Sequence, residues 1–321
     1  MSQPEPPFDP TQNTSEDSDR LIAEIEALLS ESQSPEEETA PKEEVAPQGR
    51  SKQNKKLRKT IYYALIGIFS AVFLFSSVCL AQHLIEQYQN EARNDEYRDI
   101  VASIQGSQTD PSDTLPGTTL PPSPEPTDPI ILPEYQPLYE MNDDLVGWIK
   151  IEGTNVNYPV MQSIGSPDYY LNKNFDKQTS KAGAIYVREA CDVFKPSDNV
   201  VIYGHYISSG QQMFTHLHKY RNKSFWQSNQ YVTFDTIYEH HTYQIFAVFK
   251  TSANPGQGYS YHRFNDALDY KDFDAFVAKV KELSFYDTGI TPQYGDKLIT
   301  LSTCEYTLDN GRLVVVAVQV S

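Results

Sequence analysis

The sequence predicts a mostly β domain, a barrel or sandwich, carried behind one transmembrane helix. Three observations predict it. Eight short runs rich in Val, Ile, Tyr and Phe lie between residues 146 and 320, with turn signals between them. One amphipathic helix, Tyr270–Leu283, interrupts them, with Phe273, Phe276, Val277, Val280 and Leu283 on one face. Far upstream, Ile61–Ala81 runs for 21 residues without a charge.

Residues 1–60 are expected to form an acidic, disordered cytoplasmic tail. Residues 1–50 hold thirteen Asp/Glu against three Lys/Arg, too little apolar surface to offset chain entropy. Within them, residues 19–31 place Leu21, Ile22, Ile25, Leu28 and Leu29 at helical spacing. That is either a transient helix or a short peptide that folds onto a cytoplasmic partner. The tail ends in a basic cluster, Lys52, Lys55, Lys56, Arg58 and Lys59.

Residues 61–81 follow as the transmembrane helix. At ~1.5 Å rise per residue the run spans the hydrocarbon of a bilayer. A cleaved signal peptide fits less well, because the run is long, starts far into the chain and shows no small-x-small cleavage site. Basic residues on its N-terminal side put the tail in the cytoplasm and the chain beyond residue 82 outside, as in a single-pass type II membrane protein. Residues 82–104 continue as a polar helical stalk. Residues 105–133 form a linker with eight prolines, and at ~3.1 Å per residue such a segment reaches on the order of 80 Å.

Residues 134–321 read as one folded domain with a sizeable core. The β runs are Val146–Ile151, Val156–Val160, Gly183–Val187, Asn199–Tyr203, Gln230–Asp235, Tyr243–Lys250, Lys297–Thr303 and Arg312–Val320. Helical turns are expected near Gln136–Asn142, Asp168–Leu171 and Gln212–His218. The formal charge of -17 leaves no long basic face to meet phosphates, so nucleic acid is excluded as the partner of the whole chain.

Chemistry concentrates near the C-terminus. Thr300-Leu301-Ser302-Thr303-Cys304-Glu305 ends one β run on a cysteine, and Arg312 opens the next. A thiol attacks as thiolate and needs a base or cation beside it. Of the seven histidines, His205 stands out because it follows Asn199-Val200-Val201-Ile202-Tyr203-Gly204, a strand ending on glycine. The residues alone leave it open whether His205 is a base or a structural side chain. Arg312 is either a surface ion pair with Asp309 or Glu305, or a cation placed where an oxyanion develops. The histidines do not pair with carboxylates or cysteines at ligand spacing, so no metal is expected. A nucleophile-elbow serine and a phosphate-cradling glycine loop are both missing from the sequence. The three cysteines, Cys79, Cys191 and Cys304, show no disulfide framework.

These residues resemble the sortase signature, a TLxTC motif followed by an arginine on the next strand. Tyr203-Gly204-His205-Tyr206, with Met213-Phe214 and Leu217, is similar to the histidine segment of class B sortases. Asp144-Leu145-Val146-Gly147-Trp148-Ile149, Tyr158-Pro159-Val160-Met161-Gln162 and Tyr169-Tyr170-Leu171 resemble the opening of the class B domain. The helix Tyr270–Leu283, between the sixth and seventh strands, is a class B feature as well. The resemblance covers about residues 138–321.

It implies an eight-stranded β-barrel with peripheral helices and a thiol-dependent transpeptidase that needs no cofactor. By position, Cys304 matches the nucleophile that attacks the threonine carbonyl of a surface-protein sorting signal, of Asn-Pro-x-Thr type, to give a thioacyl enzyme. His205 matches the general acid/base, and Arg312 the residue that binds substrate and stabilises the oxyanion. Ser302, Thr303 and Glu305 are expected to line the cleft, with the N–H of Glu305 as a second oxyanion donor, and residues 251–283 to form much of the signal-binding wall. The implied acceptor is a peptidoglycan amine of a Gram-positive wall. Two alternatives keep the chemistry, a pilin polymerase using a lysine amine and a simple cysteine protease. A third is a non-catalytic, sortase-like binding module. Residues 186–192 depart from the usual family wording, which leaves the role of Cys191 open, and the acidic tail is longer than the family needs.

Overall fold

The computed structural model describes residues 51–107 and 129–321, with nothing stated of the side chains of 51–57 and 83. The expectations for residues 1–50, the helical peptide 19–31 among them, and for the linker from 108 to 128 lie outside the described residues. The chain divides into two units, Met1–Ser70 and Ala71–Ser321, and the barrel lies wholly in the second. Helix α1 (Ser51–Ser107) contains the uncharged run 61–81 and is long and apolar enough to cross a membrane.

The second unit is organised by eight strands that close on themselves in the order β1-β2-β3-β4-β9-β10-β8-β7. They are β1 (Leu145–Lys150), β2 (Asn157–Met161), β3 (Ile185–Val187), β4 (Asn199–Tyr203), β7 (Tyr231–Thr236), β8 (Thr242–Ser252), β9 (Leu298–Glu305) and β10 (Gly311–Gln319). Each expected β run corresponds to one of them, with ends shifted by a few residues. Pairing of β1 with β7, from Gly147↔Thr236 to Lys150↔Thr233, closes the ring and decides for a barrel over a sandwich. Two pairs are parallel, β2 with β3 and β4 with β9; the others are antiparallel. The interior is Val-, Ile- and Phe-rich, and Leu313–Val318 of β10 is buried without a break because both faces of that strand are covered.

Four α-helices are found among the described residues. Besides α1 they are α2 (Gln136–Met141), α3 (Lys223–Ser228) and α4 (Tyr270–Leu283). Helix α4 has the bounds expected from its periodicity. Asp269 caps it by accepting the N–H groups of Lys271 (2.9 Å) and Asp272 (3.0 Å). Phe273, Phe276, Val277 and Val280 are buried, each contributing roughly 1.5–3 kcal/mol as an upper estimate.

Two features escape the sequence patterns. Strands β5 (Tyr206–Ile207) and β6 (Gln212–Met213) form a small ribbon directly after His205; two-residue strands are too short to show a period. The stretch read as a stalk is helical to Ser107, but from Glu86 onward it is docked on the barrel domain. Tyr97 and Val101, four residues apart and so on one face, are buried with Tyr135, Leu138 and Phe175. Arg98 donates to the Asn157 carbonyl (2.9 Å) and lies 4.8 Å over the Tyr158 ring. A docking face with only two fully buried apolar residues reads as polar in sequence.

Candidate active site

β9 and β10 set the first two members of the site. Their register places Cys304 directly opposite Arg312. The connecting turn makes this exact pairing feasible at two positions. Asn310 adopts the left-handed conformation (φ 47°), which Asn tolerates better than most residues. A Cβ at Gly311 would lie 2.2 Å from the Glu305 carbonyl oxygen, so only glycine fits beside the paired strand. Arg312 makes no ion pair with Asp309 or Glu305. One terminal nitrogen donates to the Asn310 side chain (3.0 Å) and the Gly311 carbonyl (2.9 Å), which anchors the guanidinium over its own turn.

β4 supplies the third member. Its ladder with β9 ends where the Gly204 N–H donates to the Ser302 carbonyl (3.1 Å). A Cβ on Gly204 would sit 2.5 Å from Ile185 and 2.7 Å from Phe214, so the chain turns there through a gap only glycine can pass. His205 follows, and its Nε2–H donates to the Leu171 carbonyl (2.7 Å). A carbonyl only accepts, so Nε2 carries the proton and Nδ1 is the free basic nitrogen of the neutral ring.

Cys304, His205 and Arg312 all line one cleft of about 260 Å³. Ser302 and Thr303 line it too, as expected. The Ser302 hydroxyl is hydrogen-bonded to the Tyr261 phenol (2.6 Å), whose own ionisation burial makes harder. Thr303 Oγ1 is buried and has no hydrogen-bond partner among the described residues. Glu305 does not line the cleft. Its side chain pairs with Arg221 and accepts the Thr307 N–H (3.1 Å) and hydroxyl (2.7 Å). Burial alone would raise its pKa, but the bonds from Thr307 and Arg221 outweigh it and hold the carboxyl below its usual range. The backbone register pairs Glu305 with Gly311 across the ladder.

Three further residues line the cleft without having been singled out in the sequence, Tyr186, Tyr261 and His262, the last two within the expected wall segment 251–283. The Tyr186 hydroxyl donates to Asp168 (2.8 Å). Burial, then Arg188, Arg263 and Arg312, hold His262 below the ordinary histidine value, so it is neutral at pH 7. Tyr261 and His262 sit on a single 3₁₀ turn between β8 and α4, and no local periodicity aims such a turn at a cleft. Cys191 is elsewhere. It is free and buried, as Cys304 is free and partly exposed.

A thiol, an imidazole and a guanidinium on one cleft suit acyl transfer. A sortase domain profile matches residues 149–320. Sortase B of Staphylococcus aureus (strain NCTC 8325 / PS 47) is 32% identical over 189 residues, 58% of this chain and 75% of that protein. Sortase B of Listeria monocytogenes serovar 1/2a is 28% identical over 268 residues, 81% of this chain and 97% of the relative. Among solved structures, a Staphylococcus aureus sortase B–substrate complex superposes with a TM-score of 0.62 at 26% identity, over 74% of this chain and 99% of that one. Sortase B from B. anthracis in complex with AAEK2 gives 0.59 at 28% identity, over 73% and 97%. The chain belongs to the sortase family. Its relatives and structural neighbours are class B enzymes, and it is a class B sortase, a cysteine transpeptidase.

Proposed function

We propose that this enzyme is anchored in the membrane by residues 61–81 and acts outside the cell, joining surface proteins to a cell-wall amine through Cys304. The observation that carries the reading is the convergence of Cys304, His205 and Arg312 on one cleft. The Cys304 thiol passes its proton to Nδ1 of His205, and the thiolate attacks the carbonyl carbon of the threonine in an Asn-Pro-x-Thr type signal. The guanidinium of Arg312 meets the oxyanion. The C–N bond breaks, the leaving amine takes its proton from His205, and a thioester remains. An incoming wall amine then gives a proton to the His205 imidazole and attacks the thioester, and the thiolate leaves. The bond from Nε2–H to Leu171 supports this role, because it orients the ring and directs proton exchange to Nδ1. Ser302 and Thr303 are proposed to contact the signal.

The anchor and topology rest on the apolar run and on the basic residues before it. The test uses the full-length chain in detergent micelles and a fluorogenic peptide carrying the signal. Cleavage should be seen, a thioacyl adduct on Cys304 should be trapped by mass spectrometry, and added amine should divert product from hydrolysis to transfer. Full turnover in Cys304→Ala would end the proposal. Product formed with a lysine side-chain amine but not with a wall-stem amine would move it to pilin polymerisation.

A further inference from the structure

The cleft exists because β4 leaves the sheet early. β4 and β9 are parallel partners up to Tyr203↔Ser302, and the last bond between them is Gly204 N–H to the Ser302 carbonyl. Backbone groups two residues apart on a strand face the same neighbour. The Cys304 carbonyl therefore points to the side that β4 has just vacated. A strand end with a partner on one side only is free to twist, and an unpaired carbonyl beside the thiol would also repel negative charge on the reacting atoms.

That carbonyl is occupied. His218 Nε2–H donates to it at 2.9 Å. His218 lies on the 3₁₀ helix Thr215–Arg221, in which residues three apart eclipse on one face. Three residues on, Arg221 pairs with the buried carboxylate of Glu305. One turn of one helix thus grips two successive residues of β9, the first by its backbone and the second by its side chain. The His218 ring also packs at 4.5 Å on Tyr206, the neighbour of His205. The same imidazole therefore touches the segments that carry both proposed proton-transfer and nucleophilic groups.

We infer that His218, assisted by Arg221, is a positioning residue that stands in for the missing strand partner and fixes the end of β9 on which Cys304 is presented. The inference rests on Cys304 as nucleophile. His218 is not itself a proton carrier in this scheme, because it is not among the residues that line the cleft. Burial, the dominant influence, holds the ring below the ordinary histidine value, so it acts as a neutral donor at pH 7.

The test compares two substitutions in the full-length enzyme. His218→Phe keeps a ring against Tyr206 and removes the donor. His218→Gln places an amide N–H near the position of Nε2. His218→Phe should lower kcat by about 10- to 100-fold, as expected for a small misplacement of a reacting group, with KM changed by less than about twofold. His218→Gln should restore kcat to within about fivefold of the original enzyme. The rate of Cys304 alkylation by iodoacetamide, which needs no aligned geometry, should be similar in both. Full kcat in His218→Phe overturns the inference, as does a His218→Gln variant that is equally slow. If His218→Phe does not fold, Arg221→Met on the rim decides: a reduced kcat at unchanged KM supports the role and an unchanged kcat overturns it. An inactive Cys304→Ala beside a fully active His218→Phe removes the positioning role alone; an active Cys304→Ala removes the nucleophile itself.

Discussion

The barrel domain holds two free thiols, and their surroundings separate structural from chemical use of one side chain. Cys191 is 4% exposed. Its Sγ accepts the Val201 N–H (3.4 Å) and lies near the Asn199 carbonyl (3.6 Å) and Asn265 Oδ1 (3.5 Å). Burial pushes its pKa up, so it stays a thiol. Cys304 stands at a strand end, open to a cleft, with Arg312 paired across from it and His205 on the same cleft. Residue type says nothing about this difference. It comes from where each strand stops and what closes over the sulfur. A Cys191–Cys304 bridge would have used both, and neither is bridged.

The comparison is broken most directly by exchanging the two thiols for alanine. Cys304→Ala should lose activity on the order of 10⁴-fold or more. Cys191→Ala should keep its turnover and lose about 1 kcal/mol of stability from the vacated volume. Equal losses of activity in the two variants would show that the contrast carries no chemistry. Next in size is Arg312→Gln, which keeps a donor but removes the charge. Peptide turnover should fall by about 10²–10³-fold, the scale of losing an oxyanion partner, while the thermal transition moves little.

Alkylation sharpens the contrast without mutation. Iodoacetamide applied to the folded enzyme should modify Cys304 at least about tenfold faster than Cys191, because Cys304 is open to a cleft and burial both shields Cys191 and keeps it a thiol. Peptide mapping reads the ratio, and denaturant should abolish it.

The smallest effect concerns a histidine held in the structural way. His216 accepts the Asn155 N–H (2.8 Å) at Nδ1 and donates to Gln211 (2.6 Å) at Nε2. Burial, then the Lys219 charge, lowers its pKa. The unfolded chain takes a proton there near about pH 6.5, and the folded ring refuses it until lower pH. This contribution to stability is present in full above that value and is lost as pH falls through the window down to the folded pKa. Unfolding midpoints of the original enzyme should therefore fall more steeply below about pH 6.5 than those of His216→Asn, which retains an acceptor near Nδ1.

Much of this protein is readable along the chain. The eight strands show as runs of β-branched and aromatic residues because each packs at least one face in the barrel. Helix α4 shows its bounds because four buried side chains repeat at helical spacing. Cys304, His205 and Arg312 are legible as strand-end residues beside Gly204 and Gly311, the two glycines that the close-packed turns require. Glu305 does not line the cleft, because its carboxylate is held by Arg221 and by Thr307, partners that no local pattern announces.

By itself, then, the sequence determined the local periods, the strand ends and the types of reactive group, since each depends on residues a few positions apart. Only the tertiary structure decided closure of the barrel, docking of α1, entry of Tyr261 and His262 into the cleft, and capping of the Cys304 carbonyl by a histidine 86 residues away. Those depend on which segments meet after long loops close, and no short window of sequence encodes that meeting.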